Sequence, residues 1–248
     1  MGRLPALRPY RVVDWSVESG TPHLNAVAIA AVLKSNTPEN PYCLANEFVS
    51  MALGRYLRLP VPPGVIIADG DNTYFASLDF NWANQQFSGI EPSEFSASFP
   101  DYVPAILAFD VFICNADRNE FNVYADYSEP ATFYPFDHSG LLGTDAGRAL
   151  EHMAESKDAL VINGDTRGQP HCLLGRMQDK ADFDHFIARI EQLPDYLITE
   201  TVEAVSGLGI IDTEAQALTE LLLDRRFQLR RLIAEKFDGH PSPLAGSR

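Results

Sequence analysis

The stretch NADRNEFNVYADYSEPATFYPFDHSG, residues 115–140, constrains this chain more than any other. It sets Asp117 and Asn122 five positions apart, directly after an apolar helical run, and brings Asp137 at the end of TFYPFD. Asn and Asp are residues that turns prefer, because their side chains bond the nearby backbone. A loop and a turn are therefore one reading. A divalent-cation and phosphate site is the other, since hard cations take carboxylate and amide oxygens. A short helix-to-strand loop keeps Asp117 and Asn122 close, and a returning strand presents Asp137 beside them.

The segments upstream predict strands with one helix. RVVDWSV (11–17) reads as a short strand, and AVAIAAVLKS (26–35) as an apolar strand, although its alanines also permit a buried helix. NEFVSMALGRYL (46–57) has helical spacing, with Arg55 placed to suit the helix dipole, and the prolines of LPVPP stop it. GVIIADGDNTYFASL (64–78) predicts a hairpin. Residues 81–101 are turn-rich and irregular, as at a junction between lobes.

Downstream, residues 101–115 predict a helix capped by Asp101, with Ile106, Phe109, Asp110 and Ile113 on one face. Asp110 then lies at the edge of the core or has a partner, and could anchor the loop that follows. Two short strands are expected at 121–125 and 132–137, and 138–170 reads as a stretch that could gate a substrate. The last third is mainly helical. Its long helix opens with Thr213 and Gln216 in capping-box spacing and carries an apolar stripe of Leu218, Leu222, Leu229 and Ile233. Arg225, Arg226, Arg230 and Arg231 are expected on its solvated face, Trp15 and Trp82 in the core, and 241–248 as a loose tail.

Composition narrows the function. With 19 basic against 34 acidic residues the net charge is -15, which argues against a nucleic-acid or anionic-membrane partner. No run approaches the length of a membrane span, and the start carries no signal-peptide core. Cys43, Cys114 and Cys172 are scattered and odd in number, which fits reduced thiols and a cytoplasmic location.

Phosphoryl transfer from a nucleotide needs a carboxylate to orient or deprotonate the acceptor, two oxygen donors for magnesium, and a lysine on the phosphates held by an acid. The protein-kinase pattern spaces the first carboxylate and the amide as Asp117 and Asn122 are spaced, with the metal aspartate after a hairpin. Lys34 ends an apolar strand upstream, and Glu47, at the start of the next helix, can reach back to it.

The stretches VLKS, LANEFVSMALGRYLRLPVPP, FDVFICNADRNEFNVY, FYPFDHSG and LLLDRRFQLRRLIAE, from residue 32 to about 235, resemble the HipA-like kinase family. The resemblance implies an α+β, two-lobed protein-kinase-like fold. A small β-rich N-lobe (1–78) would sit over a larger, mainly helical C-lobe (79–240). It implies an ATP- and magnesium-dependent phosphotransferase acting on a Ser/Thr-type or small-molecule hydroxyl. In it Asp117 is the catalytic base, Asn122 and Asp137 are magnesium ligands, Lys34 holds phosphate and Glu47 is its partner. The backbone from Leu78 to Phe80 is the hinge for adenine, and Ser19 and Gly20 lie in the loop covering the phosphates.

That loop, SVESGTPHLN, holds one glycine and no G-x-G-x-x-G. Cys114-Asn115-Ala116 stands where eukaryotic kinases place His-Arg, and His138-Ser139 follows the metal aspartate in place of Phe-Gly. Full-length HipA proteins carry an additional N-terminal subdomain that this chain does not match, which puts a toxin–antitoxin role and a HipB-type antitoxin partner in doubt. A nucleotide-binding scaffold without phosphotransfer, a nucleotidyl transferase on the same fold, and a metal hydrolase are the competing functions. Residue by residue, Lys34 could be a solvated strand end, Arg118 a surface ion pair and His138 a structural histidine.

Overall fold

A computed structural model of the chain describes residues 31–79, 88–128, 130–157, 170–176 and 180–237. The strand expected at 11–17, the loop with Ser19 and Gly20, Phe80, Trp15, Trp82 and the tail lie outside the described residues.

A three-stranded antiparallel sheet comes first, with β1 (Ala31–Lys34) and, after a helix, β2 (Gly64–Asp69) and β3 (Asn72–Leu78) in the order β1-β3-β2. The β2–β3 hairpin pairs Asp69 with Asn72, so its loop is the two residues Gly70 and Asp71. Gly70 has φ +60°, as a primed turn requires. Lys34 pairs with Phe75 and Phe75 with Ile66, which puts the three on one face. Phe75 is buried there and fills the space beside Gly64, where a Cβ would come within 2.4 Å of its ring.

Helix α1 (Cys43–Tyr56) packs against this sheet. Its N-cap residue, Tyr42, offers no side-chain cap, and Asn36 substitutes by accepting from the Leu44 N–H at 2.9 Å. The helix closes in a Schellman motif: the Leu59 N–H reaches the Gly54 carbonyl and the Arg58 N–H that of Arg55, both at 2.9 Å. Arg58 takes the left-handed position, at φ +63°.

A second antiparallel sheet is made of β4 (Ser88–Gly89), β5 (Val123–Asp126) and β6 (Thr132–Pro135). It sits beside α2 (Pro92–Ser98) and α3 (Tyr102–Phe112) through Phe95, Phe99, Tyr102 and Phe133, whose rings stand 4.8–5.2 Å apart. From Val103 to Phe112 every residue of α3 is buried, so this helix is the centre of the helical part. Around it lie α4 (Ala149–Ser156), α5 (Asp184–Glu191), α6 (Asp195–Glu203) and α7 (Asp212–Phe237), with 3₁₀ turns at Leu174–Arg176 and Lys180–Phe183. The result is an α+β architecture with a small β-rich part and a larger helical one. Among the described residues no helix is long and apolar enough to cross a membrane.

Five expectations need correction. The irregular stretch 81–101 contains α2, whose start is capped by Glu91 accepting from the Glu94 N–H, and the region after Asp137 contains α4. Asp101 stands at the N-cap of α3 but makes no side-chain cap bond. The cap of α7 lies two residues earlier than Thr213 and Gln216 imply, with Glu214 reaching back to the Ile211 N–H at 3.0 Å. Arg225 and Arg226 are buried, not solvated. Helix α7 packs on α3, α4, α5 and α6, so the face beside its leucine stripe also meets protein. There Arg225 donates to the carbonyls of Val111, Ser156 and Lys157, at the ends of α3 and α4. Only Arg230 and Arg231 fit the solvated face, Arg230 pairing with Glu191 and Asp184.

Candidate active site

Lys34 closes β1 on the face that meets α1, and Glu47 lies in that helix opposite it. The Lys34 ammonium bonds Glu47 Oε1 at 2.5 Å and Asp137 Oδ1 at 2.8 Å. Burial disfavours its charge, but the two carboxylates outweigh this and hold its pKa above the ordinary lysine value. Burial pushes the Glu47 carboxyl up against the opposing pull of Lys34. For Asp137 the same competition ends the other way, with Lys34 holding the carboxyl below its usual range. An ammonium has three donors and two are used here, which leaves one for an anion.

Asp137 follows β6 with φ +60°, a left-handed conformation that is uncommon outside glycine and gathers at functional sites. The loop after it is bolted to α1. Asn46 donates to the carbonyls of Ser139 and Gly143 and accepts from the Leu142 N–H, while the His138 N–H bonds Glu47. Gly140 passes so close to the loop after α3 that a Cβ would lie 2.1 Å from the Cys114 carbonyl.

That loop is organised by one buried ion pair. Asp110, in the last turn of α3, accepts from Arg118 Nε and Nη2, both at 2.9 Å, from Asn115 at 2.8 Å and from His171 Nε2 at 2.9 Å. Burial opposes its charge, yet Arg118 and His171 keep the carboxyl well below the ordinary carboxylate range. Arg118 also donates to the carbonyls of Asn122 at 2.7 Å and Phe136 at 2.5 Å. One guanidinium thus fixes the end of α3, the loop and the exit of β6 together. Asn122 Nδ2 donates to the Asp117 carbonyl at 2.7 Å, and its own carbonyl accepts from the Phe136 N–H at 3.1 Å. Asp117 is half-buried, and its carboxylate accepts from Asn119 at 3.4 Å.

Lys34, Glu47 and Asp137 are therefore in direct contact, and Asp117 and Asn122 are joined in one loop beside Phe136 and Asp137. Leu78 ends β3 with its N–H already given to the Pro63 carbonyl at 2.8 Å. Arg118 is not the surface ion pair expected of it but is fully buried, because its partner Asp110 lies in the central helix. The sequence reading missed Asn46 and His171 altogether. The only signal for Asn46 was a polar residue next to Glu47, and none marked His171. Among the described residues no group of three or more His, Cys, Asp or Glu gathers as a metal cage. One carboxylate and one amide oxygen fit magnesium better than a soft metal, since magnesium takes its remaining ligands from phosphates and water.

His138 is buried edge-on to Phe109, and its Nε2 has no partner among the described residues. Burial, with Arg118 nearby, brings its pKa down to about 3. An unfolded chain takes up this proton near pH 6.5. Between those values the unfolded state binds a proton that the folded state refuses, so stability drops as pH falls. One such group contributes at most about 1.4 kcal/mol per pH unit. His171, also lowered by burial, acts in the same direction. The urea midpoint is expected to decline from pH 6.5 to pH 4, and His138→Leu to flatten that decline. An unchanged slope in the variant would refute the role of His138.

These features, a small sheet with one helix carrying a lysine–glutamate pair over a helical part with an Asp-x₄-Asn loop, define a protein-kinase-like fold of the HipA type. Several solved structures share it, and two of them illustrate the likeness. The Helicobacter pylori proinflammatory kinase CtkA superposes with a TM-score of 0.61 over 94% of this chain and 98% of its own, at 12% identity. HipA of Shewanella oneidensis MR-1, from a toxin–antitoxin complex with HipB and operator DNA, gives 0.51 over 88% of this chain at 13% identity. This chain spans 62% of that HipA chain. No protein-family model matches the sequence, and no curated protein does.

Proposed function

We propose that this protein is an ATP- and magnesium-dependent kinase that moves the γ-phosphoryl group to a hydroxyl of a protein or a small molecule. The observation that carries the reading is Lys34 held between Glu47 and Asp137 at 2.5 and 2.8 Å. Lys34 pairs its remaining donor with a nucleotide phosphate, and Glu47 keeps it aimed there. Asp117 accepts the proton of the acceptor hydroxyl, and Asn122 and Asp137 would hold magnesium. When bound, magnesium supplies charge neutralisation on the phosphates. Adenine would lie against the backbone between Leu78 and Phe80, and the phosphates under the loop with Ser19 and Gly20. The acceptor is an alcohol small enough, or extended enough, to reach Asp117.

Thermal shift and ATP turnover, each with and without magnesium, test this on the wild type and Asp137→Ala. The wild type is expected to gain stability from ATP and magnesium together and to turn ATP over. Asp137→Ala is expected to lose both magnesium-dependent responses. Equal turnover in the two proteins rejects the assignment.

The single glycine in residues 16–25 favours a second reading, a nucleotide-binding scaffold. It predicts an ATP-dependent thermal shift without turnover on any acceptor. Transfer of a nucleotidyl group on the same fold would be told apart by the mass of the modified product.

A further inference from the structure

A cleft of about 730 Å³ lies where the end of α1 meets the starts of α3 and α5. Arg58, Arg176, Arg189 and His185 line it, and none of Lys34, Glu47, Asp117, Asn122 or Asp137 does. It is thus separate from the candidate active site, and what it binds does not depend on the kinase reading.

Its arginines stand out in a chain of net charge -15. None of the three is tightly neutralised. Arg176 approaches Glu91 only at 4.0 Å, with both side chains exposed. Arg189 donates to a neutral acceptor, the Leu57 carbonyl, and lies 5.4 Å over the Phe186 ring. Arg58 has no carboxylate partner within ion-pair distance among the described residues. It also occupies the left-handed position of the α1 Schellman motif, where glycine is favoured and another residue costs about 1–2 kcal/mol. A guanidinium thus stands on the cleft wall at a backbone position where a side chain is a local disadvantage.

We propose that this cleft binds a phosphate monoester. Guanidinium forks match phosphate oxygens with paired charge-assisted hydrogen bonds. Asp101 and Asp182 also line the cleft, and their carboxylates disfavour a polyanion while accepting hydrogen bonds from a ligand's hydroxyl or amine. Tyr102 and Phe186 supply apolar wall for its carbon skeleton. The volume is that of a site enclosing a small molecule or one modified side chain.

The test is calorimetric titration of the full chain with O-phosphoserine at constant ionic strength, with serine as the control. Saturable one-site binding is expected, absent for serine. Arg58→Gly and Arg176→Gln should each weaken it by roughly tenfold or more, the scale of a lost charge-assisted hydrogen bond. Arg58→Gly should also keep or raise the melting temperature, because glycine relieves the left-handed backbone, so lost binding cannot be ascribed to unfolding. Asp137→Ala should bind as the wild type does. Inorganic phosphate binding as tightly as the ester identifies free phosphate as the source, and weaker binding identifies an organic ester; either keeps the site. No saturable binding, wild-type affinity in both arginine variants, or loss in Asp137→Ala overturns it.

Discussion

Arg118→Ala is expected to destabilise the protein by about 3–5 kcal/mol, the scale found when one partner of a buried ion pair is removed. Asp110 is fully buried, and without Arg118 its carboxylate would keep only Asn115 and His171. The carbonyls of Asn122 and Phe136 would lose their guanidinium donor in the same step. Urea denaturation at pH 7 measures this directly. Arg118→Lys should recover only part of the loss, since one ammonium cannot reproduce the paired bonds to Asp110 while reaching two carbonyls. Combining Arg118→Ala with Asp110→Asn should cost less than the sum of the single changes, because the uncompensated charge is then gone. A loss below about 1 kcal/mol for Arg118→Ala would show that the pair does not organise the loop.

The different fates of Asp110 and Arg118 show what a sequence can reveal. Asp110 breaks an otherwise apolar helix face, and an acid in such a place calls for a partner, so its role as an anchor was legible. Arg118 lies in a polar loop, and nothing local distinguishes a buried arginine there from an exposed one. Only the path of the chain around α3 brings it to the carboxylate eight residues earlier. Arg225 was misread for a related reason. A helix with one leucine stripe implies one buried face, but α7 is wrapped by four helices, and its arginine serves carbonyls from two of them.

Local patterns did better where they determine local geometry. The β2–β3 hairpin follows from its Gly-Asp turn, and α1 from its apolar spacing and the prolines after it. Helices α2 and α4 were hidden because they are short and set among Gly, Ser, Asp and Pro, residues that signal turns. The Lys34–Glu47–Asp137 contact spans residues 34 to 137, which no periodicity can bridge. Its order along the chain was readable, and its closure came from α1 carrying Glu47 to Lys34 on one side and Asn46 to the loop after Asp137 on the other.

Asp117→Asn is expected to lower phosphoryl-transfer turnover by roughly 10²–10⁴-fold, the usual contribution of a positioned general base. The change keeps the shape of the side chain. It also keeps the bond from Asn122 to the carbonyl of residue 117, and the new amide oxygen can still accept from Asn119. The urea midpoint should therefore stay near the wild-type value, and ATP affinity measured by thermal shift should change little, since Lys34, Glu47 and Asp137 retain their contacts. The loss then falls in kcat and not in nucleotide binding, which separates a group acting on the acceptor from one holding the phosphates. An Asp117→Asn protein that loses ATP affinity in proportion to rate would make Asp117 part of the nucleotide site. One that keeps full turnover would remove it from the reaction and leave the proton of the acceptor hydroxyl to another base.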